Sequence, residues 1–301
     1  MLDKNSKRNN IYWVDLSNFD SSSLENVESM FSECLFLNEI NFKNFNTSKV
    51  TNMANMFYGC DALESVDLSE FDTSKVTNMA NMFYNCRAIK SLDLSGFDTS
   101  NVENMEAMFL ECNELISLDI SSFNVSKVTN MDDMFYSCSS LENINLSNFV
   151  TSSVVNMSNI FAHCKSLKSI DLSNFDTSSV TNMAHMFEEC IDLELLDLSK
   201  FNTSSVISMD SMFSGCEKLE SLNLSNFNTS KVTNMENMFI RCMQLKSIDL
   251  SRFDTSNVKN FQGLFEDCNN LKSLNLSSFK TSKVKSMLHM FFNCYCMSIN
   301  Y

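Results

Sequence analysis

Apolar and polar residues follow one another in an order that repeats every 26 positions along this chain. Cysteine marks the frame: Cys34, Cys60, Cys86, Cys112 and their successors to Cys294 keep the spacing without a slip, and only Cys296 of the twelve stands outside the column. A fixed period of this length signals a stacked repeat architecture. One turn, Leu63 to Cys86, shows how it is built. Leu63, Val66, Leu68 and Phe71 have the L-x-x-L-x-L spacing of a leucine-rich-repeat strand, with Val66 and Leu68 alternating against Asp67 and Ser69. Val76, Met79, Met82, Phe83 and Cys86 then recur at intervals of three and four, which predicts a helix of about three turns with one apolar stripe.

The expected fold is therefore an α/β solenoid, a right-handed leucine-rich-repeat-like array of eleven 26-residue strand–helix turns. Residues 1–10 read as a polar N-terminal tail, residues 11–296 as one repeat domain, and residues 297–301 as the truncated start of a twelfth turn. Parallel strands stack about 4.8 Å apart, whereas packed helices need about 8–10 Å. That mismatch predicts a curved array with its strand ladder on the concave side.

Several columns carry candidate chemistry. Phenylalanine forms two unbroken spines, Phe19 to Phe279 and Phe31 to Phe291, which read as stacked core rather than a ligand groove. The methionine columns beside them read as core filler. Each cysteine is alone in its turn, without the close pairs of a zinc site, and neighbouring turns are expected to hold the thiols too far apart for a disulfide. A ladder of buried thiols fits best, with Cys294 and Cys296 as the place for oxidation. Ser22 to Ser282 and the threonines beside them stand where a helix would need N-caps, and the Asn52 to Asn260 column reads as satisfying backbone groups at the same helix start.

On the wet strand face stand Asp67, Asp93, Asp119, Asp171, Asp197 and Asp249, interrupted by asparagines and flanked by a serine column. Stacked carboxylates repel, so serine hydroxyls, solvent or cations must offset them. These residues are the candidate partner-binding face, together with outward positions that vary between turns: Glu39, Glu70, Lys90, Ile116, Asn143, Lys200, Arg252 and, most of all, Leu195, which is apolar where other turns carry Ser.

Charge and composition narrow the function. A net charge of −15 is the wrong sign for binding nucleic acid or an anionic membrane surface, and no apolar run approaches the ~20 residues of a membrane span. With four glycines there is no phosphate loop. The three histidines, His163, His185 and His289, form no positioned trio with a nucleophile, so the chain reads as non-enzymatic and without a cofactor. MLDKNSKRNN lacks the apolar segment of a secretory signal, so the chain is expected to stay inside the cell or to be a piece of a longer exported protein.

The string L-x-x-L-D-L-S-x-F-D-T-S-x-V-T-N-M-x-x-M-F-x-x-C, at Leu63–Cys86 and again, with Ile170, at Leu167–Cys190, resembles the BspA-like leucine-rich repeats, in particular the mycoplasma-type surface repeat. The resemblance implies a bacterial cell-surface or secreted array, often a lipoprotein, used in adhesion or host-protein binding, with a protein partner and no catalytic set. An alternative reading is a structural array that stacks end to end.

Overall fold

A computed structural model describes residues 10–295 and 298–300. The chain winds into a β-solenoid of eleven coils, the first spanning residues 11–36 and the last described from residue 271 to 295. One side of nine of the eleven coils is a short strand, β1 Trp13–Asp15, β2 Glu39–Asn41, β3 Ser91–Asp93, β4 Ser117–Asp119, β5 Ser169–Ile170, β6 Leu195–Leu196, β7 Ser221–Leu222, β8 Ser247–Ile248 and β9 Ser273–Asn275, and β10 Ser298–Asn300 follows the last coil. They pair in parallel with the 26-residue offset, as in Ser91 with Ser117 and Leu92 with Leu118. The final pair is one residue short, Ser298 against Ser273. The alternation is as read from the sequence: in β3, Leu92 points inward and Ser91 and Asp93 point to solvent.

The opposite side of the coil differs from the expectation. Among the described residues there is no helix; the segment with helical spacing is a run of tight turns. In the second coil, Met56, Tyr58 and Cys60 donate backwards to the carbonyls of Met53, Asn55 and Phe57. The alternate N–H groups, of Met53, Asn55, Phe57 and Gly59, instead reach the next coil, at Asn78, Ala80, Met82 and Tyr84, over 2.8–3.0 Å. A helix needs all these N–H groups for its own i→i−4 bonds. Two residues on the turn side of every coil also take the left-handed conformation, Asn55 and Gly59 here, Asn81 and Asn85 in the next, which an α-helix of L-residues excludes. Spacing of three to four residues therefore arises from successive turns whose apolar members share one inward face.

This alters two further expectations. With no helix there is no spacing mismatch: on the turn side Phe31 to Phe291 form a stack with rings 5.3–6.0 Å apart and within 15° of parallel, close to the strand spacing of about 4.8 Å. The physical reason for a curved array with a concave strand side falls away. Nor do the threonines cap helices. Thr47, Thr73, Thr99, Thr151, Thr177, Thr203, Thr229 and Thr255 are at most 1% exposed. Most clip one coil to the next, accepting the N–H of a residue 25 positions on and donating to that residue's carbonyl; Thr47 with Asp72 spans 2.8 and 3.0 Å. The asparagine column does satisfy backbone groups, those of turns: Asn52 Oδ1 accepts the N–H of Ala54 at 3.0 Å. Asn26 to Ser286 form a second parallel ladder of bridges joining all eleven coils.

The core lies between the two sides, filled by both Phe spines, the Met columns and the cysteines. Each thiol from Cys60 to Cys294 donates to the carbonyl of the Phe 29 residues earlier, as in Cys86 to Phe57 at 3.1 Å. Every described cysteine is a free thiol. Burial pushes Cys86 and Cys164 up to about 12. Cys296, the other half of the pair expected to oxidise, lies outside the described residues.

Candidate functional site: the strand face

The strand geometry sends alternate side chains outward, and all six aspartates of the candidate face are exposed. Each uses Oδ1 to accept the backbone N–H of the serine two residues on, at 2.8–3.0 Å. Ser95 and Ser121 add their hydroxyls, at 2.6 Å. The Ser69, Ser173, Ser199 and Ser251 backbone N–H groups, helped by their hydroxyls, hold Asp67, Asp171, Asp197 and Asp249 below the usual carboxylate range. For Asp93 the Ser95 hydroxyl is the larger cause. A neighbouring carboxylate acts the other way at Asp67, which feels Asp93, and at Asp197, which feels Asp171. The serine column therefore offsets repulsion along the stack. Among the described residues no group of three or more His, Cys, Asp or Glu side chains is placed to hold a metal ion.

The structure groups these candidates unequally. Asp67, Asp93 and Asp119 stand on three successive coils, Asp171 and Asp197 on two, and Asp249 stands alone between Asn223 and Asn275. Leu195 is 73% exposed, two residues before Asp197 on the same face and in register with Ser169. It borders a depression of about 620 Å³ with Glu194, Lys218, Glu220 and Gln244. Glu39, Asn143, Lys200 and Arg252 are exposed, as is Ile116. Glu70 accepts the N–H of Asn44 at 2.9 Å, and Lys90 is paired with Glu64 at 2.7 Å, so both are partly committed.

Two features of this face were missed in the sequence. Trp13, the one tryptophan of the chain, stands in the Leu195 column and is 54% exposed. With Glu39, Asn41, Asp67 and Glu70 it lines a depression of about 480 Å³. Its signal was available, since Trp replaces the Ser of most turns. The second is a superperiod. Glu64–Lys90, Glu142–Lys168 and Glu220–Lys246 are ion pairs across adjacent coils at 2.5–2.7 Å, and they recur every 78 residues, or three coils.

The turn side carries clusters of titratable groups, among them Arg241 with Glu189 and Glu217 and the group around His185. His185 Nδ1 lies 2.8 Å from Glu188 and its Nε2 3.3 Å from Asp210. Hydrogen bonds to Asp210 and Glu188 raise His185 to about 10. Ser208 donates to Asp210 rather than to the imidazole.

The family profile described as "Mycoplasma protein of unknown function, DUF285" matches this chain over residues 1–116, 87–194, 111–221, 156–268 and 220–300. No match was found among curated proteins. Solved structures with similarity include a leucine-rich cell surface protein of Faecalibacterium prausnitzii A2-165 (17% identity, 97% of this chain and 88% of that one, TM-score 0.44). Another is a leucine-rich repeat protein of Eubacterium ventriosum (14% identity, 97% and 82%, TM-score 0.39). A third is a leucine-rich-repeat protein of Leptospira interrogans (15% identity, 92% of this chain, TM-score 0.33), of whose length this chain spans 64%. With its overlapping matches running from the first coil to the last, the chain belongs to the Mycoplasma DUF285 family of unknown function.

Proposed function

We propose that this protein is a non-enzymatic binding module, displayed at a bacterial cell surface or secreted, that holds a protein partner on its acidic strand face and serves in adhesion. The observation that carries the reading is the combination on one face of exposed Trp13 and Leu195 with aspartates held ionised by their own serines. An apolar anchor beside fixed charge is how protein interfaces gain affinity and specificity. Ser, Asp and Cys recur in every coil as scaffold, and the hydrogen bonds around His185 lead to carboxylates instead of a nucleophile, which supports a role other than catalysis. Family membership supports the repeat-array reading.

The test is binding of purified extracellular host proteins to the immobilised array. Wild type would be compared with Trp13→Ala and with Asp93→Lys/Asp119→Lys, all exposed positions that leave the core intact. Loss of at least tenfold in affinity is expected from either variant. Equal binding by all three chains would remove the strand face as the site.

A further inference from the structure

One column on the side of the bridge ladder has the same character read in either direction. Its residues each precede the Asn52 to Asn260 column by one position, and each N–H donates to the carbonyl one coil back, as Thr181 does to Val155 at 2.9 Å and Ile207 to Thr181 at 2.8 Å. These bonds fix the spacing along the column. Outward from Thr181, in the seventh coil, Val155 is matched by Ile207, Thr129 by Thr233 and Glu103 by Lys259. Val155 and Ile207 are about half exposed, where every other coil carries Thr, Glu or Lys. Glu103 and Lys259 are exposed, and neither forms an ion pair among the described residues. Two positions earlier, Ser153, Ser179 and Ser205 stand between Lys127 and Lys231, so neither column carries a charge over the three central coils. Ser153 and Ser179 donate to the carbonyls of Ser126 and Ser152, at 2.7 and 3.0 Å, which leaves little polarity to remove from water.

A face with this order is complementary to itself when turned end for end. We infer that it is an interface between two copies of the chain, packed side by side and antiparallel about a two-fold axis that lies in the face at the level of Thr181. The axis sets Val155 of each copy on Ile207 of the other, flanked by Thr129 on Thr233. Each Glu103 then meets the other copy's Lys259, which places an ion pair at both ends of the strip. A parallel arrangement would instead set Glu103 on Glu103 and Lys259 on Lys259. Lys127 and Lys231 oppose each other across the axis, but Lys127 is drawn along the array onto the Asn101 amide oxygen at 2.7 Å. The acids on the other flank lie along the array as well, Asp132 accepting from Ser158 and Glu236 from the Asn260 amide. Seven coils about 4.8 Å apart make a strip about 29 Å long. One strand-width of it falls below the ~800 Å² per partner of a stable complex, so pairing is weak, with a dissociation constant on the order of 0.1 mM. The two-fold occupies the face on both copies, so association stops at the dimer.

Sedimentation velocity of the full chain, over a dilution series from micromolar to millimolar, tests this without any strand-face partner. Wild type is expected to form a reversible dimer and nothing larger. Ile207→Lys, at an exposed position, should weaken it at least tenfold by setting a charge against Val155, with a circular dichroism melt showing that the coils remain intact. Glu103→Lys and Lys259→Glu should each raise the dissociation constant about threefold to tenfold. The chain carrying both changes should recover most of the loss, and this swap tests the interface even if Ile207→Lys fails to fold. Lys231→Glu, which turns the opposed lysines into an attractive pair, should tighten the dimer. A chain that stays monomeric at millimolar concentration overturns the inference. So does growth beyond a dimer, association that Ile207→Lys leaves unchanged, or a double swap that binds no tighter than the single variants.

Discussion

The hydroxyl of Thr73 accepts the backbone N–H of Asp98 at 2.8 Å and donates to the carbonyl of the same residue at 3.0 Å. One buried side chain thus satisfies both backbone groups of a residue in the next coil. The exception shows what the clip does. Val125 stands in this column, and the N–H of Val150, which a threonine there would accept, turns to the carbonyl of Asn148 at 3.1 Å. Replacing Thr73 by Val should therefore leave two polar groups without a partner and cost about 2 kcal/mol. Val125→Thr should raise stability by up to about 1 kcal/mol. Urea denaturation midpoints measure both, and an unchanged midpoint for Thr73→Val would show that the clip is dispensable.

The His185 cluster predicts a pH dependence. An imidazolium held by Glu188 and Asp210 has its folded-state value raised from 6.5 to about 10. Its contribution is full below about 6.5, where both folded and unfolded chains are protonated, and is lost as pH rises through about 10. The side chain is about a third exposed, so solvent screening limits the contribution to about 1 kcal/mol. Thermal melts of wild type and His185→Gln should differ most near pH 6 and converge above the raised value. A gap that widens with pH would contradict the arrangement.

Backbone strain at Ala107 offers an opposite case. It is a left-handed residue with a φ of 50°, at a position where other coils place Asn55, Asn81 or Gly263. Left-handed backbone costs an L-residue with a Cβ about 1–2 kcal/mol, so Ala107→Gly should raise the melting temperature. Gly263→Ala should lower it, because Gly263 holds the same left-handed backbone with a φ of 59° and the Asn237 side chain would also have to move away from an added Cβ. Circular dichroism melts of the two variants should shift in opposite directions.

Thiol chemistry separates the ends from the interior. Burial holds the interior thiols protonated well beyond neutral pH, Cys138 and Cys190 among them, and the thiolate is the reactive species. Of the described cysteines, Cys34 and Cys294 alone are partly exposed. Alkylation of the native chain followed by peptide mass mapping should modify these two first, with Cys60 to Cys268 labelled only after denaturation. Rapid labelling of Cys138 in the folded chain would rule out the packed thiol ladder.

Much of this was legible in the columns themselves. Leu92 and Asp93 face opposite ways as their alternation required, and the Phe and Cys columns are core. The helix was misread because Val76, Met79, Met82, Phe83 and Cys86 share one inward face in either geometry. The correcting signal lay in the columns of Asn81 and Asn85, where Asn, Gly, Ser, His and Asp gather at two sites four residues apart. These are the residues that tolerate a left-handed backbone or avoid helix interiors. Of the candidate site, the aspartates and Leu195 were readable from the frame, whereas Trp13 was passed over although it breaks the same column.

By itself the sequence determined the frame: eleven coils of 26 residues, the faces that are buried, and a strand face bearing carboxylates and serines. Each of these follows from local periodicity. Only the tertiary structure decided that the second half of each coil is turn and not helix, that Thr73 clips its neighbour and caps nothing, and that Lys90 meets Glu64. Those outcomes depend on which coil lies next to which. A backbone N–H that can bond either four residues back or 25 residues ahead is settled by the stacking of coils, not by the residues that flank it.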